Sequence, residues 1–79
     1  MSKTIDFPDL DAAIDAEAWQ WLQETAPVYA DAITAEVKRG HAPGDIRQRF
    51  MRLTQRPALA LRLEQAARHL RRQRQEAGQ

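Results

Sequence analysis

Few side chains in this sequence could carry out a reaction. The chain has no cysteine, its only serine is Ser2, and neither histidine lies at a spacing that would pair it with a threonine. Nucleophilic catalysis needs a hydroxyl or thiol held beside a base. Gly40 and Gly44 fit neither the phosphate-binding loop nor the dinucleotide-binding pattern. We therefore predict that the protein is not an enzyme and uses no cofactor or small-molecule substrate.

Candidate metal ligands are equally sparse. His41 falls in a predicted loop, and His69 falls on a predicted helix with no second histidine four residues away. Zinc sites combine several histidine and cysteine ligands at short, fixed spacings. Asp11 and Asp15 share one side of a helix, but carboxylates near the start of a helix ordinarily favour its positive end and face solvent. The sequence therefore predicts no metal site.

Charge is distributed very unevenly along the chain. Residues 1–36 carry eight acidic side chains and one basic side chain, a net charge of −7. Residues 37–79 carry eleven basic and three acidic side chains, a net charge of +8, so the total of +1 conceals the separation. Such a chain either neutralises itself on folding or presents two oppositely charged surfaces.

Apolar residues recur at steps of three and four, which predicts helices and no strands. Prolines introduce the second, third and fourth helices, and Gly40 is a natural terminator of the second. The predicted helices cover residues 9–25, 27–39, 43–55 and 57–76. Because the turns are short, neighbouring helices must pack together, and we predict an all-α, single-domain bundle of about four short helices over residues 1–79. Residues 1–6 are predicted to form a flexible arm and residues 75–79 a frayed tail.

The fourth helix has the clearest apolar stripe, and the other helices are expected to cover it. This stripe consists of Leu59, Leu63, Ala66, Ala67 and Leu70. Arg68 and Arg72 are predicted to lie on the opposite, solvent-exposed side. The first helix is predicted to pack through Leu10, Ile14, Ala18, Trp21 and Leu22. The second is predicted to pack through Val28, Tyr29, Ala32, Ile33 and the aliphatic stem of Glu36, with Val37 at the margin of this side. The third is predicted to pack through Ile46, Phe50 and Leu53.

Two large apolar residues fall outside these predicted core faces, Trp19 on the first helix and Leu61 on the fourth. Aromatic residues are enriched in the cores of protein interfaces. We therefore predict a small, non-catalytic binding or accessory module that acts through protein–protein contacts, including self-association of its acidic and basic halves. The alternative for Trp19 is that another helix of the same domain covers it.

A second hypothesis assigns the arginines to nucleic-acid binding. The tight turn between the third and fourth helices loosely resembles a helix-turn-helix, and its flanking arginines could neutralise phosphates. These residues are Arg47, Arg49, Arg52, Arg56, Arg68, Arg71, Arg72 and Arg74. Against this hypothesis, the fourth helix begins with leucines where a recognition helix needs exposed polar side chains, and the net charge is low.

The sequence gives little support for a membrane protein. No apolar run approaches the about 20 residues that a membrane span requires, and residues 1–10 lack the apolar segment of a signal peptide. The fourth helix could lie on a membrane surface only weakly, because its stripe is rich in alanine and lacks aromatic anchors. We predict a cytoplasmic protein whose partner is another protein or itself, with nucleic acid as the alternative partner.

Overall fold

Four α-helices follow one another along the chain. The computed structural model describes the backbone of residues 7–77 and the side chains of residues 10–76. The helices are α1 (Phe7–Thr25), α2 (Pro27–Lys38), α3 (Pro43–Thr54) and α4 (Pro57–Ala77), with no strand within residues 7–77. The prediction of a small all-α bundle is confirmed, and each helix boundary lies within two residues of its predicted position. The predicted flexible arm, residues 1–6, lies outside the described residues, as do residues 78–79 of the predicted tail.

Backbone chemistry explains where the helices begin and end. Each of α2, α3 and α4 starts at a proline, whose missing N–H costs nothing in the first turn. Beyond α2, Gly40 adopts a left-handed conformation with φ of 90°. The N–H of Gly40 then donates to the carbonyl of Val37 at 2.9 Å, and the N–H of His41 donates to the carbonyl of Glu36 at 3.1 Å. This pair of bonds is the Schellman ending predicted for a glycine at this position.

The core is organised around α4, which packs against all three other helices. Its predicted stripe is confirmed, because Leu59, Leu63, Ala66 and Ala67 are buried and Leu70 is partly buried against them. The other helices contribute Leu22, Ile33, Ile46 and Phe50. The rings of Tyr29 and Phe50 meet edge to face at 6.0 Å, which joins α2 to α3.

The orientation of α1 differs from the prediction. Ala18 and Leu22 are buried as expected, but Leu10 is 53% exposed and Ile14 is 40% exposed. Asp15, which the sequence analysis left in solvent, is only 1% exposed. The prediction was wrong because apolar periodicity treats every carboxylate as a solvent residue. In the structure, Asp15 has arginine partners on α4, and α1 turns its carboxylate inward to meet them.

Two further residues predicted to be in the core are exposed. Val28 lies in the first turn of α2 and is 79% exposed, and Leu53 lies in the last turn of α3 and is mostly exposed. Both follow the apolar period of their helices, but periodicity does not show where a helix extends past its neighbours. No helix within residues 7–77 is both long and apolar enough to cross a membrane.

Candidate protein-interaction surface

A buried ion cluster fixes α1 against α4. Nε of Arg68 donates to Oδ2 of Asp15 at 3.0 Å, and Nη2 of the same arginine donates to Oδ1 at 3.3 Å. Nη2 of Arg72 donates to Oδ2 at 3.4 Å. The two-point contact from Arg68 is the geometry in which a guanidinium and a carboxylate bind most strongly. Asp15 therefore sets the rotation of α1 about its own axis.

The two arginines of this cluster are only partly withdrawn from water. Their side chains are 43% exposed for Arg68 and 39% exposed for Arg72, so the predicted solvent-facing position of both was wrong in part. The hydrogen bond to Asp15 raises the pKa of Arg68, and the negative charges of Asp15 and Glu64 add to this effect against the opposing effect of burial. Nη1 of Arg72 is buried without a hydrogen-bond partner. The cluster thus restrains the position of α1 strongly, although one of its hydrogen-bond donors has no partner.

Because α1 is rotated so that Asp15 faces inward, a mixed apolar and acidic surface lies on the opposite side of this helix. We call this surface the α1 outer face; its residues are Leu10, Ile14, Glu17, Trp21 and Glu24. Their spacing places them on one side of the helix. Glu17 and Glu24 are exposed. Trp21, predicted to face the core, is partly buried against it at the edge of this surface, and the guanidinium of Arg62 lies 4.5 Å from its ring centre. Helix α1 thus exposes two aliphatic side chains while burying a carboxylate.

A second ion cluster surrounds Glu36 at the end of α2. The Nδ1–H of His41 donates to Oε1 of Glu36, while Arg49 and Arg39 lie 3.4 Å and 3.7 Å from Oε2. The hydrogen bond from His41 lowers the pKa of Glu36 against the opposing effect of burial, and the charges of the two arginines lower it further. This cluster joins α2, the following loop and α3. Within residues 10–76, no group of three His, Cys, Asp or Glu side chains could hold a metal ion.

Positive charge collects in a cleft at the C-terminal ends of α2 and α4. We call it the cationic cleft; its charged or titratable lining residues are Lys38, His41, Arg71 and Arg74, and its volume is about 310 Å³. Next to it lies a second cleft of about 250 Å³, which shares Val37, Lys38 and Arg74 with the first and adds Leu70. We call this the apolar cleft. Together the two clefts offer positive charge beside an apolar wall.

The two contact residues predicted from the sequence occupy different environments. Trp19 is partly buried against the hydrophobic core, and it lines a shallow cleft with Pro27, Ala30 and other residues of α1 and α2. Other helices of the same domain therefore cover much of its ring. Leu61 is 41% exposed on α4 and directly precedes Arg62, the residue stacked on Trp21. Leu61 is therefore a surface residue of α4, whereas Trp19 packs against the core.

Four of the eight arginines of the nucleic-acid hypothesis are paired with carboxylates of the same domain. Arg47 pairs with Glu64, Arg49 with Glu36, and both Arg68 and Arg72 with Asp15. The other four lie near the two ends of α4: Arg52 and Arg56 precede it, and Arg71 and Arg74 lie in its last turns. The ends of this helix are about 30 Å apart. In the first turn of α4, Leu59 is buried, whereas Pro57 and Ala58 are exposed.

Sequence reasoning missed Leu10 and Ile14 as surface residues. One signal was present, because Asp11 and Asp15 on the first helix and Arg68 and Arg72 on the fourth are both spaced four residues apart. Opposite charges at the same interval are compatible with two helices that face each other, although in the structure both arginines pair with Asp15 and Asp11 is exposed. Using this signal requires knowing that the first helix packs on the fourth, which the sequence does not show.

Fold and surface together define a small helical bundle with an outward-facing apolar and acidic helix and a separate cationic cleft. Comparison with protein families, curated proteins and solved structures finds no match to this chain.

Proposed function

We propose that this protein is a non-catalytic interaction module that associates with a second copy of itself through the α1 outer face. One observation carries this proposal: Leu10 and Ile14 are 53% and 40% exposed, while Asp15 beside them is 1% exposed. An isolated domain gains stability by burying the aliphatic side chains and leaving the carboxylate in water. The reverse arrangement is useful when a partner covers the aliphatic side chains.

The energetic gain available at this surface is moderate. Burying a fully exposed leucine or isoleucine contributes about 1.5 to 3 kcal/mol, so two half-exposed side chains supply about 1 kcal/mol each. Further affinity must come from charge and from the rest of the contact, because a specific interface usually buries more than about 1,000 Å². A weak, concentration-dependent association is therefore expected.

A second copy is the partner because the chain carries complementary charges on separate helices. Helix α1 contains five acidic residues and no basic residue, whereas α4 contains five arginines and two glutamates. Within one molecule, and among the carboxylates of residues 10–25, Asp15 is the one that pairs with α4. Glu17 and Glu24 remain exposed on the outer face and can meet positive charge on another copy.

Sedimentation velocity tests this proposal with a matched pair of variants. Ile14→Glu places a charge on the α1 outer face, and Val28→Glu places the same charge at an exposed apolar position on α2, outside that face. We expect the wild type to gain mass between about 10 and 500 µM, and Ile14→Glu to weaken association at least about tenfold, a change of about 1.4 kcal/mol. Val28→Glu should behave like the wild type.

Circular dichroism must show that both variants retain the helical fold. A wild-type protein that stays monomeric over the whole concentration range would overturn the proposal. Equal losses of association in the two variants would also overturn it, because they would indicate a general effect of added negative charge.

A further inference from the structure

The positive charge of the cationic cleft is not balanced by carboxylates in the described part of the same molecule. Arg47, Arg49 and Arg68 each lie within 3.4 Å of a carboxylate oxygen. By contrast, across residues 10–76 no carboxylate lies in salt-bridge contact with Arg71, Arg74 or Lys38. No acidic side chain lines the cleft either. Three permanent cations therefore share one cleft without a counter-charge from the described part of the chain.

Helix dipoles explain only part of this arrangement. Lys38 lies in the last turn of α2 and Arg74 in the last turn of α4, where a positive charge is favourable by about 0.3 to 1 kcal/mol. That effect does not require the two helix ends to converge on the same cleft. Bringing like charges together costs energy, and an anion between them would offset the cost. The cleft is therefore suited to a negatively charged ligand.

The neighbouring apolar cleft narrows the choice of ligand. It lies against the cationic cleft, shares Val37, Lys38 and Arg74 with it, and has Leu70 in its wall. A simple inorganic anion would leave this apolar wall uncovered. A better match is a ligand that carries carboxylates and aliphatic groups side by side. Its carboxylates would lie in the cationic cleft, and its aliphatic groups would cover the apolar wall.

The α1 outer face has this composition. Leu10 and Ile14 lie one turn apart, and Glu17 and Glu24 continue the same side of the helix. The segment from Leu10 to Glu24 extends about 21 Å along the helix axis. We propose that the cationic cleft and the apolar cleft of one copy bind the α1 outer face of another copy, with carboxylates at the arginines and aliphatic side chains at the Val37 and Leu70 wall. This inference rests on the proposed self-association and identifies the receiving surface.

Such a contact joins two different surfaces of the same protein. Each copy has one α1 outer face and one cationic cleft, so binding leaves a free face at one end and a free cleft at the other. A heterologous contact of this kind builds open chains, or a ring where the rotation closes. A contact between two α1 outer faces would instead stop at a symmetric dimer.

Mixing two defective variants separates these arrangements. Ile14→Glu damages the face and keeps the cleft, whereas the double variant Arg71→Gln, Arg74→Gln damages the cleft and keeps the face. We expect each variant alone to associate at least about tenfold more weakly than the wild type. For the cleft variant the reason is the loss of charge-assisted bonds, which contribute about 1.5 to 3 kcal/mol each. An equimolar mixture should form a one-to-one complex that grows no further, because each partner supplies one intact surface.

The matched control is Arg56→Gln, which removes an exposed arginine at the opposite end of α4 and should leave association unchanged. If the cleft variant still dimerises and the mixture forms no complex, the cleft inference is overturned while self-association through α1 survives. If the wild type never associates, both proposals fall together.

A nucleic-acid assay tests the competing occupant of the cleft. Fluorescence anisotropy with duplex and single-stranded DNA and RNA at about 50 mM salt should show no binding that depends on Arg71 and Arg74. Oligonucleotide binding by the wild type that the cleft variant loses would assign the cleft to phosphate groups and overturn the inference.

Discussion

Asp15 determines more of this structure than any apolar side chain of α1. Its carboxylate is 1% exposed and receives hydrogen bonds from two arginines, so its charge is compensated in place. A buried ion pair is weak evidence for stability by itself, because desolvation offsets much of the attraction. Its clearest effect is positional: it selects the rotation of α1 that leaves Leu10 and Ile14 outside.

Replacing Asp15→Asn should destabilise the domain by about 2 kcal/mol. The substitution keeps the side-chain shape but leaves Arg68 and Arg72 without their carboxylate, a change that costs 3 to 5 kcal/mol for fully buried pairs. The expected loss is smaller here because the two arginines remain 43% and 39% exposed and can regain water. Urea unfolding followed by circular dichroism measures the difference.

Asp31→Asn is the appropriate comparison, since Asp31 is an exposed aspartate on α2. That substitution should change the free energy of unfolding by less than about 0.5 kcal/mol. Similar losses in the two variants would show that the buried cluster contributes no more than an ordinary surface charge.

Single residues were the least predictable level of this structure. Leu59 and Leu63 could be assigned to the core because they continue a stripe on a long helix. Asp15 could not be assigned, since a buried carboxylate becomes favourable only when a partner approaches from a distant part of the chain. Its partners lie 53 and 57 residues further along.

At the level of helices, Glu36 links the end of α2 to the loop and to α3. Its side chain is 7% exposed and contacts His41, Arg49 and Arg39. These partners lie at the end of α2, in the turn that follows and in the middle of α3, so this one carboxylate links all three segments.

Acid should weaken this link in a predictable direction. The pKa of Glu36 is lowered below its ordinary value of 4.5 in the folded state, so the folded protein binds fewer protons than the unfolded chain in that range. The stabilisation is therefore fully present above pH 4.5 and is lost as the pH falls through the lower, folded-state value. Glu36→Gln should be less stable than the wild type at neutral pH, by about 1 to 3 kcal/mol.

The difference in unfolding free energy between the wild type and Glu36→Gln should shrink as the pH falls below about 4.5, because the unfolded chain then gains a proton on Glu36 that the folded protein does not. It should level off once the pH is below the folded-state pKa, where Glu36 is uncharged in both states. Urea unfolding at a series of pH values measures it. A difference that stays constant down to strongly acidic pH would show that the carboxylate charge contributes nothing to the link.

Helix boundaries were predictable because they depend on local backbone chemistry. The prolines that begin α2, α3 and α4 and the left-handed Gly40 act within one turn of the chain. The rotation of α1 and the exposure of Val28 and Leu53 depend on which helices are neighbours. Periodicity along one helix does not contain that information.

For the whole molecule, the sequence shows that acidic and basic residues are separated into two halves. It does not show where these charges lie after folding. Folding pairs Asp15 and Glu36 of the acidic half with residues of the basic half. Glu17 and Glu24 remain exposed, and so do Arg71 and Arg74. The molecule thus neutralises part of its charge internally, while exposed charges of opposite sign remain on two separate surfaces, the α1 outer face and the cationic cleft.

Salt should therefore act on assembly far more than on folding. Raising NaCl from about 50 to 500 mM shortens the screening length from about 14 Å to about 4 Å, which weakens contacts between exposed charges. We expect the association constant to fall about tenfold, a loss of about 1.4 kcal/mol. The unfolding free energy of the monomeric Ile14→Glu variant should change by less than about 1 kcal/mol, because its Asp15 cluster is buried. Sedimentation velocity and urea unfolding at both salt concentrations measure the two quantities. Association that strengthens with salt would contradict charge pairing between copies and would leave the aliphatic side chains of the α1 outer face as the source of affinity.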